Sequence, residues 1–161
     1  MYFLCPKHRL DMLQLSESEI SCRWFEWMNQ AAQLYENRNW HKATSFAGCA
    51  MDLSSCALLK GDVNKKNLAT HAALSTIYTI NLLQHQLSLE NANIFSDVFC
   101  QRIKIALHQT DAQEWADSCI EAVLNHQKHQ EFFNDYLSFP FETAKIIPQT
   151  SFRKNAVTAL H

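Results

Sequence analysis

Two glycines, Gly48 and Gly61, and three prolines, Pro6, Pro140 and Pro148, are all that punctuate a chain of 161 residues. A many-stranded fold turns every few residues, and its tight turns draw on glycine for positive φ and on proline for a fixed φ. A chain this poor in both must spend its length in long helices. Alanine, leucine and glutamine fill its middle, and 47% of the residues are apolar, enough for one core. The expectation is therefore an all-α chain forming a single domain over 1–161, with an irregular opening segment at 1–15 and a less regular C-terminal tail at 139–161.

Helix boundaries can be placed along it. Ser16 and Glu19 have the spacing of a capping box, in which hydroxyl and carboxylate each satisfy a free backbone donor. From there Ile20, Trp24, Trp27, Met28, Ala31, Leu34 and Tyr35 recur at helical spacing, which predicts Trp27 to be substantially buried. Asn37-Arg38-Asn39 reads as a turn. A second helix carries Ala43, Phe46, Ala47, Ala50, Met51, Ala57 and Leu58, with Gly61 placed as a left-handed C-terminal cap. A third spans about 65–87 with Ala69, Ala72, Ala73, Ile77, Ile80, Leu83 and Leu87 inward, and a fourth about 90–108. Thr110 with Gln113 and Asp111 with Glu114 both have cap-box spacing and open a fifth, whose buried side includes Trp115, Cys119, Ile120 and Val123. Phe132, Phe133, Tyr136 and Leu137 extend it or form a sixth before Pro140.

At residues 27–53 the spacing becomes specific. Trp27, Ala31, Tyr35, Trp40, Ala43, Ala50 and Leu53 resemble the signature positions of one tetratricopeptide repeat, and Leu34 through Ala43 resemble that family's inter-helix turn. Arg38 stands where the family usually has glycine, Ala47 where an aromatic is common, and no proline follows Leu53. A degenerate second copy aligns on Ala92, with Thr76 in place of the tryptophan and Phe99 in place of the second alanine. The resemblance implies antiparallel helix pairs stacked as a short superhelix, capped by helices from the last fifty residues. It also implies a groove lined by the first helix of each pair. That places Phe25, Met28, Asn29, Ala32, Tyr35 and Glu36 on one wall, and Leu74, Ile77, Asn81, Gln84 and His85 on the other. The family's carboxylate-gripping form has Lys and Asn where this chain has Met28 and Ala32, so a chaperone's C-terminal carboxylate is not the ligand implied.

Motifs for chemistry are sparse. Lys and Arg total 14 against 16 Asp and Glu, with no basic stripe beyond Lys65-Lys66, so nucleic acid is not an expected partner. With two glycines no phosphate-cradling loop can be written. Eight histidines and six cysteines show no Cys-x-x-Cys, His-Glu-x-x-His or Glu-x-x-His spacing. His126 with His129, and Cys5, His8 and Cys22, are the weak clusters, and neither a metal nor a cofactor is expected. The cysteines read as buried thiols of a reducing compartment, although Cys22, Cys49, Cys100 and Cys119 remain open as nucleophiles. Ser151-Phe152-Arg153-Lys154 matches a Ser-x-x-Lys pattern without its context.

No segment resembles a secretory signal and no apolar run reaches 18 residues, so a cytoplasmic location and no membrane span are expected. The function expected is a non-enzymatic adaptor or scaffold that binds a protein or peptide in the groove. The alternatives are a helical regulatory domain acting on transcription or secretion, or a helical small-ligand or enzymatic protein. Phe132, Phe133 and Tyr136 fall within five residues and are candidates for a homodimer interface, unless residues 139–152 fold back over them with Phe139, Phe141 and Phe152 as the cover.

Overall fold

The structure, a computed structural model, describes residues 2–145. Among these residues it is all-α: α1 (Pro6–Leu13), α2 (Glu17–Glu36), α3 (Trp40–Ala57), α4 (Lys65–His85), α5 (Leu89–Leu107), α6 (Gln113–Leu124) and α7 (His129–Tyr136), with one 3-10 turn (His126–Lys128) before the last. The helices pack in sequence order, α2 on α3, α3 on α4, α4 on α5 and α5 on α6. The Ser16–Glu19 capping box forms, while Ser151, Phe152, Arg153 and Lys154 lie outside the described residues.

The hub is α4, which touches α2, α3, α5, α6 and α7. Every residue from Leu68 to Leu83 except His71 is buried. A helix enclosed on all sides is normally apolar all round, yet this one carries Thr70, Ser75, Thr76 and Thr79. Each returns its hydroxyl to the carbonyl four residues back, at 2.9, 2.7, 2.7 and 2.8 Å, so no donor is orphaned by burial. That is why α4 shows no clean stripe in sequence.

Two hairpin turns share one hydrogen-bond pattern. Asn39 N–H donates to Leu34 O at 2.9 Å and Arg38 N–H to Tyr35 O at 2.9 Å; Ser88 N–H donates to Leu83 O at 2.9 Å and Leu87 N–H to Gln84 O at 3.0 Å. In both, the second residue past the helix takes a left-handed backbone, Arg38 at φ 55° and Leu87 at φ 57°. The alignment of the second hairpin on Ala92 thus has the same turn beneath it. It also explains a miss: Leu87, expected inward, is the turn residue itself and is 73% exposed.

Other boundaries move for physical reasons. Segment 1–15 is not irregular: α1 forms there with Pro6 in its first turn, where a missing N–H costs nothing. It buries none of its own residues and is held from outside, Lys60 Nζ donating to Leu13 O at 2.9 Å and Leu15 O at 2.6 Å beyond its C-terminus. Phe3 lies directly over Gly48 of α3, where an added Cβ would come within 2.2 Å of its ring. The buried Asp52 carboxylate accepts from Phe3 N–H, from Leu4 N–H at 2.8 Å and from Arg102 Nη1 at 2.7 Å. Gly61 is no left-handed cap, since no glycine has positive φ and α3 stops at Ala57. Neither cap box near Thr110 forms; Thr110 Oγ1 donates to Leu107 O at 2.8 Å instead. Trp27 is only half-buried while Trp24 is buried, and Trp115 sits at the surface with Nε1 donating to Thr70 Oγ1 at 2.9 Å. No described helix is long and apolar enough to cross a membrane.

Candidate functional site

Trp24 contacts α4 at His71 and Ser75, and Tyr35 contacts it at Asn81 and His85, so α2 and α4 run side by side in the same direction. The two walls of the expected groove are therefore adjacent. What lies between them is the chain itself: after α7 the backbone leaves the helix at Leu137 and passes as a non-helical segment, residues 138–145, along α2 and α4.

The grip on this strap is mainly on its backbone. Pro140 O accepts from Tyr78 Oη at 3.0 Å, Phe141 O from Gln130 Nε2 at 3.3 Å, and Glu142 O from Asn81 Nδ2 at 2.8 Å and His85 Nε2 at 3.1 Å. Glu142 N–H donates to Tyr35 Oη at 2.8 Å. The single Tyr35 hydroxyl proton goes to Asn81 Oδ1 at 2.9 Å, leaving a lone pair for Glu142 N–H, while the one Nε2–H of His85 is shared between Glu142 O and Tyr35 Oη, the latter at 3.0 Å. One peptide residue is thus read on both its donor and its acceptor, while its carboxylate side chain is not used.

Aromatic rings form the rest of the site. Tyr78 lies stacked between Tyr35 (5.4 Å, 10°) and Phe133 (4.8 Å, 26°), and Phe141 packs on Phe133 at 4.9 Å and on Tyr78 at 6.2 Å. Phe139 meets Phe25 at 5.8 Å. Trp40 stacks on His85 (4.6 Å, 11°) and meets Tyr35 edge-on at 5.0 Å, which fixes the clamp from the α3 side. Burial raises the pKa of both the Tyr35 and Tyr78 phenols, so both stay neutral and able to donate. Alongside Phe141 a cleft of about 260 Å³ is lined by Asn81, Gln84, His126, His129, Gln130 and Thr143.

Of the residues expected in the groove, Tyr35, Asn81 and His85 meet around Glu142, and Phe25 faces Phe139. Gln84 turns to His126 Nδ1 at 3.2 Å, and Asn29 is half-buried. Met28 and Ile77 are not groove residues: both are wholly buried in the core beneath it. Phe133 is likewise not available to a second copy, being fully buried under Phe141 and Tyr78. Phe132 is half-buried and Tyr136 exposed, their rings 5.3 Å apart. Tyr78, Trp40 and Gln130 were not anticipated as groove residues. Tyr78 is not among the apolar positions read on its helix, and the one signal for it is an aromatic ring directly after Ile77.

The remaining candidates separate. His126 and His129 stack at 4.7 Å, but His129 Nε2 is committed to Val123 O at 2.7 Å. Cys5 Sγ lies 3.3 Å from His8 Nδ1, and no group of three or more His, Cys, Asp or Glu side chains converges among the described residues. Burial pushes the Cys49 thiol up to about 11 and the Cys119 thiol up to about 12, and also raises Cys56 and Cys100, which disfavours the reactive thiolate. In comparisons with known proteins, the chain matches no family model, no curated protein and no solved structure.

Proposed function

We propose that this protein is a non-enzymatic interaction module, a short stack of tetratricopeptide-like hairpins that receives an extended segment of a protein partner between α2 and α4. The observation that carries the reading is the clamp at Glu142, where Tyr35, Asn81 and His85 bind the N–H and the C=O of one peptide residue in the groove expected from the hairpin resemblance. Side chains that satisfy a backbone rather than a side chain accept many sequences, which suits recognition of an extended peptide. The repeated turn at Arg38 and Leu87 supports the stacked-hairpin reading. The elevated thiol pKa values and the committed histidine His129 favour binding over nucleophilic chemistry.

The test is selection of peptides from a random display library on the full chain carrying Glu142→Pro, which removes the N–H that Tyr35 holds and frees the groove, followed by affinity measurement in that background against Phe25→Glu and His85→Ala, both at solvent-accessible positions. Selected peptides are expected to lose tenfold or more in affinity for both variants. Peptides indifferent to both substitutions, or no selectable binder, would contradict the groove.

A further inference from the structure

Resting on that groove reading, we infer that residues 138–145 are a built-in copy of the partner, and that the partner segment has the pattern aromatic, proline, aromatic, then any residue but proline. The pattern follows from what each strap position meets. Phe139 packs on the exposed ring of Phe25. Pro140 presents a carbonyl to Tyr78 Oη, and its ring holds φ near the value of an extended chain before any contact is made. Phe141 packs against the stacked Phe133 and Tyr78 rings, at 4.9 Å from the first and 6.2 Å from the second. Glu142 is read by its N–H and C=O alone, and proline there would lack the donor that Tyr35 Oη accepts.

The strap competes with such a partner. It begins one residue after a buried Leu137, so its tether is short and its local concentration is on the order of millimolar. A free segment of the same chemistry then meets an occupied groove, and access requires the strap to leave. Only a few polar contacts and two half-buried phenylalanines hold the strap to α2, α4 and α7, whereas the helices beneath are fully packed.

The experiment uses the full chain and a fluorescent peptide with the sequence of residues 137–145, read by anisotropy. The double variant Phe139→Ala/Phe141→Ala and, separately, Glu142→Pro each release the strap by a different route, the second without touching an apolar contact. Both variants are expected to bind the peptide at least tenfold more tightly than the unaltered chain does, and a peptide with its Phe141 position changed to alanine should bind at least tenfold more weakly. Folded variants that ignore the peptide, or that bind it no better than the unaltered chain, would overturn the inference. So would an unaltered chain that is a dimer and becomes monomeric in both variants, because the strap would then belong to a second copy. If the strap peptide fails while library-selected peptides still depend on Phe25 and His85, the partner pattern falls and the groove stands; if neither binds, both fall.

Discussion

Arg38, Leu87 and Gln109 all hold left-handed backbones, with φ of 55°, 57° and 56°, where a Cβ crowds the following carbonyl. Glycine removes that crowding, although it also loosens the unfolded chain. Arg38→Gly, at an exposed site, should therefore raise stability by up to about 1 kcal/mol, read as a higher urea midpoint at unchanged slope. A lower midpoint would mean that the arginine side chain contributes more than the strain costs. His71 is the other informative residue. Its ring stacks on Trp24 at 4.0 Å, its Nδ1 is buried without a partner, and burial lowers its pKa to about 4. Between that value and the unfolded value near 6.5 the unfolded chain binds more protons, so stability falls as pH drops through this window and levels off below it. Desolvation lowers His129 too, with the same sign. The urea midpoint should drop between pH 7 and pH 5, and by less in His71→Phe; an equal drop in both would assign the dependence elsewhere.

At the scale of elements, the helices that periodicity located best are those with one apolar face and a cap. The Ser16–Glu19 box closes as expected, with Ser16 N–H donating to Glu19 Oε2 at 2.7 Å and Glu19 N–H to Ser16 Oγ at 3.3 Å. What escaped was structure imposed from outside the segment. Beyond Pro6 little in 1–15 signals a helix, because the segment is held by residues far along the chain: Asp52 accepts from Phe3 and Leu4, Arg102 lies over the Tyr2 ring, and Lys60 donates to Leu13 O. Asp52 joins three donors in a buried position, so Asp52→Ala takes the carboxylate from Arg102, which keeps Ser55 Oγ and the Tyr2 ring, and removes the acceptor of two backbone N–H groups at once. It should cost roughly 3–5 kcal/mol, in the range for breaking a buried ion pair. Thermal denaturation checks it, and a loss below about 1 kcal/mol would show that the clasp is not part of the cooperative unit.

Across the whole molecule, Tyr35, Asn81 and His85, which the hairpin resemblance puts on one inner surface, do come together around Glu142. The depth of the groove was not legible. Periodicity alone cannot tell a residue under a groove from one lining it, which is why Met28 and Ile77 were assigned to the lining although they are core. The cover was half legible: Phe139 and Phe141 do fold back, but onto Phe25, Tyr78 and Phe133 rather than onto Phe132 and Tyr136. Phe133 accordingly belongs to the fold, and Phe133→Ala should destabilise by about 3–5 kcal/mol whatever the oligomeric state. The central claim is that α2 and α4 grip a peptide backbone at Glu142, and amide hydrogen exchange reads that grip at one atom. The account predicts a slowly exchanging Glu142 N–H that speeds up at least tenfold in Tyr35→Phe while the amides of α4 stay protected; a Glu142 N–H that already exchanges at the rate of an unstructured peptide would contradict it.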